Sequence, residues 1–174
     1  QYIPAWTNSD TLWSDVIKKY PEKVVLAYVN RAQYLRRDAQ KPHEKESDAA
    51  YAARKQKQND TAFSDCNMAV KLQPKYHLGY LNRGNIYFDR GQNDEALADY
   101  SKVIELVWPK DTSGKGFVES AIPGALSNRG AIYSRKGMRK EALEDFRLAL
   151  KFNPGDKNTW NNRAVTYFDL GDYP

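Results

Sequence analysis

Four asparagines, Asn30, Asn82, Asn128 and Asn162, are each followed by an arginine and then by a small residue: Ala32, Gly84, Gly130 and Ala164. A carboxamide carries both donors and an acceptor, so one side chain can hold the N–H and the C=O of a peptide backbone together. A row of such amides would bind an extended chain with little regard for its sequence. The arginines Arg31, Arg83 and Arg129 offer a second chemistry, because a guanidinium pairs with a carboxylate through two parallel bonds. Carboxylates recur to match them: Asp65, Asp99 and Asp145 each stand three residues after an alanine (Ala62, Ala96, Ala142) and just before Cys66, Tyr100 and Phe146. The groups that catalysis would need are not so arranged. His43 and His77 are the only histidines, without companions at metal-ligand spacing. No serine, cysteine or lysine stands in a recognisable nucleophile setting. The expectation is a binding protein that is not an enzyme, with no metal and no cofactor.

These phrases need elements to hold them, and their spacing says which. Gly130 and Ala164 lie 34 residues apart; Gly84 to Gly130 is 46, twelve longer, and Ala32 to Gly84 is 52, eighteen longer. One period with two insertions accounts for all three. Self-similarity at this length marks a stacked repeat, and stacked repeats make long binding surfaces more readily than catalytic pockets.

The residues around that period resemble the tetratricopeptide repeat, a helix-turn-helix unit of the same length. Numbering a unit so that the small residue after Asn-Arg is position eight, the unit at 123–156 carries Leu126, Gly130 and Tyr133 on helix A. Gly137 ends that helix, and Ala142, Phe146 and Ala149 lie on helix B before Pro154. The unit at 77–109 runs Tyr80, Gly84, Tyr87, Gly91, Ala96, Tyr100 and Val103 to Trp108-Pro109. At 157–174 stand Trp160, Ala164, Tyr167 and Gly171, helix A of a truncated unit. At 22–74, Tyr28, Ala32 and Leu35 precede Ala62, Cys66, Ala69 and Pro74, with an insertion at 38–59. Residues 9–20 read as a degenerate helix B with Trp13 at its aromatic position.

The resemblance implies an all-α, right-handed α-α superhelix of antiparallel helix pairs spanning residues 1–174 as one array. Small residues at positions eight and twenty let two helices approach, and aromatics at four, eleven and twenty-four fill the space around them. Gly91 and Gly137 are expected to be left-handed where the chain turns. Arg31 with Asp65, Arg83 with Asp99 and Arg129 with Asp145 are expected to pair within units and fix how the helices dock. Gripping a ligand phosphate is the lower-ranked use for those arginines.

In this family the concave face is lined by helix A through positions two, five, six, nine, twelve and thirteen. That puts Asn30, Asn82, Asn128 and Asn162 at position six, similar to the asparagine ladder of the O-GlcNAc transferases. Gln33, Asn85 and Asn161 add amides on the same side, and Phe88 and Phe168 at position twelve add apolar contacts. The expected ligand is a protein or an extended peptide. The alternative use of the same amides is hydrogen bonding between neighbouring units. The chaperone-tail carboxylate clamp needs Lys and Asn at positions five and nine, where this chain has Val29 with Gln33 and Leu81 with Asn85, so that clamp is not expected.

Both insertions have a local reading. Ser47 is a good N-cap and Asp48 to Lys55 are helix formers, so helix B of the first unit should extend backward behind a loop holding Lys41-Pro42-His43. The basic run Arg54-Lys55-Gln56-Lys57 reads as a solvated helix face. The second insertion, 110–122, reads as a turn-rich loop. Its Gly114-Lys115-Gly116 lacks the rest of a phosphate-binding loop, and Phe117 and Val118 are candidates to cover apolar surface or to touch a ligand.

Bulk properties agree with a polar helical surface: mean hydropathy is −0.80, and 27 basic against 22 acidic residues leave a net charge of +5. That mild excess permits an acidic partner without demanding one. The single cysteine, Cys66, excludes an intramolecular disulfide and reads as a small buried hydrophobe. No apolar run reaches the roughly 18 residues of a membrane span. The chain begins on Gln1, so it reads as a piece of something longer, and its compartment is left open. Trp6 to Pro21 resembles the segment that joins the last membrane helix to the repeats in dolichyl-phosphate-mannose mannosyltransferase-like membrane proteins. That likeness implies a tethered tail presenting acceptor proteins to a catalytic part, the alternative to a free-standing interaction module. RNA binding through basic repeats ranks third, and self-association through an uncovered last helix is a further expectation.

Overall fold

The computed structural model describes residues 9–108 and 121–170. They form eight helices: α1 (Ser9–Lys19), α2 (Val25–Asp38), α3 (Asp48–Leu72), α4 (His77–Asp89), α5 (Asn93–Val107), α6 (Ala121–Arg135), α7 (Arg139–Phe152) and α8 (Lys157–Leu170). No strand occurs among the described residues, and the architecture is all-α. Trp6, Phe117, Val118, Gly171 and the Gly114-Lys115-Gly116 loop lie outside the described residues. The chain divides into two compact units inside α4, after Ile86.

In the first unit α2 packs against α1 on one side and α3 on the other. One core cluster joins Ile17, Ala27, Tyr28, Val29 and Ala69, with Trp13, Met68 and Leu72 against it. A second joins Ala32, Leu35, Ala62, Cys66 and Ile86. Ala32 and Ala62 are the small residues at positions eight and twenty, and both are fully buried, as close helix approach requires. Cys66 is buried among them.

The second unit packs α5 on α6, α6 on α7 and α7 on α8. Tyr100, Phe146, Ile122, Leu126 and Ile132 are its largest fully buried apolar side chains. Gly130 is needed where it stands: a Cβ there would lie 2.8 Å from Phe146 Cε1. Gly91 (φ 73°) and Gly137 (φ 77°) are left-handed. Each closes its helix with paired backbone bonds: Gln92 N–H to Tyr87 and Gly91 N–H to Phe88, then Met138 N–H to Tyr133 and Gly137 N–H to Ser134. Those orphan carbonyls are thereby satisfied and the next helix starts within two residues. Gln73 and Asn153, each before a proline, hold extended ψ values of 85° and 81°, which end α3 and α7.

Two of the expected arginine–aspartate pairs, each lying within one compact unit, are present. Arg31 donates through Nε and Nη2 to Asp65 at 2.7 Å each, and Arg129 does the same to Asp145 at 2.7 and 2.8 Å. Burial pushes the Asp145 carboxyl up while the Arg129 bonds pull it back; on Arg129 the bond to Asp145 outweighs burial and holds the guanidinium charged. Arg83 and Asp99 belong to one repeat but fall on either side of the division after Ile86. A third bond is one that repeat spacing did not suggest. Arg31 Nη1 donates to Ser14 Oγ (3.0 Å), Arg83 Nη1 to Asn67 Oδ1 (3.1 Å) and Arg129 Nη1 to Ser101 Oγ (3.2 Å). The acceptor follows the position-twenty-four residue of the preceding helix B in all three. Each arginine therefore ties its own helix A to the helix before it.

Two expectations need correction. Arg54 is not on a solvated face: it turns inward, with 19% of its side chain exposed, and bonds Glu46, Asp38 and Gln58. A guanidinium with two carboxylates in reach exchanges water for charge-assisted bonds, while Lys55 and Lys57 remain exposed. And α6 takes in Ala121 and Ile122, which were expected in the loop at 110–122; Pro123 falls in the first turn, where no backbone N–H is needed.

Candidate functional site

The Asn30 and Gln33 side chains share one open pocket of about 360 Å³ with Trp13, Tyr34, Arg37, Asp38 and Lys41. The arrangement follows from helix geometry. Residues 30, 33, 34 and 37 recur every three or four positions along α2, so they form a single stripe. Lys41 continues that stripe past the helix end, because its N–H still bonds the Asp38 carbonyl. Trp13 comes from α1, where it also packs against the core cluster that holds Ile17, one turn further along the same face.

The polar groups of this pocket are mostly uncommitted. Asn30, Gln33, Tyr34, Arg37 and Lys41 side chains have no hydrogen bond or ion pair to any described residue. Burial, with the charges of Asp38 and Asp10 behind it, raises the Tyr34 hydroxyl above its ordinary value and keeps it a donor. Asp38 is the exception. Its Oδ2 accepts from Arg54 Nη1 at 3.0 Å and Gln58 Nε2 at 2.8 Å, and His43 Nε2 lies 3.2 Å from Oδ1. Burial pushes the Asp38 carboxyl up, but the bonds from Gln58 and His43 and the His43 and Arg54 charges outweigh it and hold it low. Chemically, the pocket offers two amides to a backbone, two aromatic surfaces, and two cations beside a carboxylate already saturated.

The remaining sequence-derived residues have different surroundings. In the first unit, Asn82 and Asn85 are half-buried on α4. In the second, Asn128 donates from Nδ2 to the Tyr100 hydroxyl at 3.3 Å, a bond between neighbouring helix pairs. Phe88 lies under the Arg135 guanidinium, 4.6 Å from ring centre to Cζ. Asn161 is exposed, Asn162 is half-buried, and Phe168 is 65% exposed on α8, where Val165 and Trp160 are exposed too. Of the nine, only Asn30 and Gln33 share that pocket. Trp13, Tyr34, Arg37, Asp38 and Lys41 were missed by sequence reasoning, although the spacing 30, 34, 37, 41 was there to be read.

The family model described as "Tetratricopeptide repeat" matches residues 77–106 and 123–156. DnaJ homolog subfamily C member 7 of Homo sapiens is 46% identical over 46 residues, 26% of this chain and 9% of that protein. The Mus musculus protein of the same name is 43% identical over 51 residues, 29% and 10% of the two lengths. The matches thus span about a tenth of those relatives. Among solved structures, a thermophilic tetratricopeptide protein of Thermus thermophilus superposes with TM-score 0.64 at 18% identity, over 91% of this chain and 71% of that one. The first tetratricopeptide domain of Spaghetti (RPAP3), bound to an HSP90 peptide, gives 0.56 at 19% identity, over 82% and 98%. Identities this low establish the fold alone. With the repeat match and the paired helices together, residues 77–106 and 123–156 are tetratricopeptide repeats, and the described chain has the fold of the solved tetratricopeptide proteins.

Proposed function

We propose that this chain is a protein-interaction module, without catalysis of its own, that binds an extended peptide segment against its first-helix faces, one seat being the α1–α2 pocket. One observation carries the reading. Asn30 and Gln33 present uncommitted amides side by side in an open pocket that also holds two aromatic residues. Asn30 is half-buried with no side-chain hydrogen bond to a described residue, and a peptide backbone supplies both a donor and an acceptor for its amide. Solved relatives of this fold include one bound to an HSP90 peptide and one to an HSP70 peptide, so the scaffold accommodates such ligands.

The test is a peptide-array screen comparing the wild type with Asn30→Ala/Gln33→Ala, with helicity verified by circular dichroism. Peptides bound by the wild type should weaken by about tenfold in the double variant, the loss expected for two amide contacts. Equal binding by both proteins would remove this pocket from the function.

A further inference from the structure

We infer that the insertion between α2 and α3 makes this pocket a seat for a carboxylate-bearing peptide, with Arg37 and Lys41 as the receiving cations and Trp13 and Tyr34 beside an adjacent apolar side chain. The inference rests on peptide binding at this pocket and adds the ligand's charge and a purpose for the insertion.

Arg31, Arg54, Lys102, Arg129, Lys136 and Arg147 all find carboxylates on this chain. Arg37 and Lys41 have none among the described residues, though both line a pocket that contains Asp38. Asp38 is out of play because the insertion occupies it. Arg54 and Gln58, on the N-terminal extension of α3, fill Oδ2, and His43 from the loop faces the other oxygen. A carboxylate held this way neither neutralises Arg37 and Lys41 nor strongly repels an incoming anion.

The insertion also fixes where Lys41 stands. Arg54 Nη2 donates to the Lys41 carbonyl at 2.7 Å, and Arg54 is itself clamped by Glu46 through Nε and Nη2, both at 2.8 Å. The loop is tied from its other side by the His43 N–H to Glu46 and by the Tyr51 hydroxyl to the Ala39 carbonyl. Arg54 is thus a positioning residue: it touches no ligand, yet it saturates Asp38 and holds Lys41 in place. Two cations beside a pair of amides fit a polypeptide with acidic side chains better than a bare phosphate, since the amides match a peptide backbone.

The full chain is titrated calorimetrically with three probes: a short capped peptide centred on Glu-Glu-Trp, its Gln-Gln-Trp twin, and an oligothymidylate. The acidic peptide should bind about tenfold more tightly than its twin at low salt, a preference that shrinks as salt rises. Arg37→Gln/Lys41→Gln should abolish the preference, bringing the affinities of the two peptides together. Arg54→Gln should reduce it, and Arg37→Glu/Lys41→Glu should transfer it to a Lys-Lys-Trp peptide. Equal binding of both twins overturns the carboxylate assignment alone. Tighter binding of the oligothymidylate overturns the choice of a peptide ligand. Failure of the chain to bind either peptide overturns the peptide-binding function along with it.

Discussion

Arg129 and Asp145 meet through two parallel hydrogen bonds of 2.7 and 2.8 Å, Nε to one carboxylate oxygen and Nη2 to the other. The third arm of the same guanidinium reaches Ser101 on the preceding helix B. One side chain therefore sets two contacts at once: α6 against α7, and α6 against α5. Arg31 repeats the arrangement with Asp65 and Ser14. Because Asp145 is only 5% exposed and Arg129 20%, neither charge can return to water without moving a helix.

Removing one partner should cost more than removing both. Asp145→Ala leaves a guanidinium largely buried and unpaired, and should destabilise by about 3 kcal/mol, whereas Arg129→Met/Asp145→Leu should lose clearly less. Urea unfolding of the two variants checks this; equal losses would mean that the pair is worth its full bond energy.

The fourth repeat breaks the pattern in an informative way. Where Ser14, Asn67 and Ser101 accept from an arginine, the equivalent residue on the helix before α8 is Arg147, which pairs with Glu144 instead and lines a pocket with Arg163. Arg163 stacks on Trp160, 4.1 Å from its ring centre. Arg147→Ser restores an acceptor and gives up only an exposed ion pair, so α8 should gain about 0.5–1 kcal/mol. Amide exchange of residues 162–166 is the readout, and slower exchange is the expected result.

Two glycines of α6 should answer alanine substitution with opposite signs. Gly130→Ala drives a methyl into Phe146 and should destabilise by about 1–3 kcal/mol. Gly124 has nothing within 4 Å of where a Cβ would stand, so Gly124→Ala should stabilise by about 0.5–1 kcal/mol through helix propensity. Thermal denaturation of both variants decides it.

Acid should loosen the insertion ahead of the helices. Arg54 bonds, with the His43 N–H, hold Glu46 down to about 2, against an unfolded value of 4.5. A lowered carboxyl stabilises the fold above its unfolded pKa, so this contribution is lost as pH falls from 4.5 toward 2. Amide exchange at His43 should accelerate in that window, and Glu46→Gln should show the faster exchange already at neutral pH. An exchange rate flat across the window would sink the assignment.

The ladder asparagines should not be equivalent. Asn128→Ala removes the bond to Tyr100 and should cost about 1 kcal/mol of stability. Asn30→Ala breaks no bond to a described residue and should leave stability unchanged while weakening peptide binding. Unfolding and binding measured on both variants separate the two roles.

Sequence alone was enough for the repeat, the helix-closing glycines and the pairing of Arg31 with Asp65 and Arg129 with Asp145, because each depends on spacing along one helix pair. A small residue eight places into a unit admits a neighbour wherever the pair forms, and a glycine at a turn is left-handed for local steric reasons. The Ser47 cap and the backward extension of α3 were legible for the same cause. What spacing could not give was the partner of a side chain across helices distant in sequence. Arg54 looked solvated until α2 and the loop brought Asp38 and Glu46 to it, and the bond from Asn128 to Tyr100 needed α5 and α6 side by side. The pocket, too, depends on α1 supplying Trp13 to a stripe on α2. Hydrogen bonds and charges are satisfied by whatever packing brings within reach, so only tertiary structure could give Arg54 its carboxylates and Asn128 its hydroxyl partner.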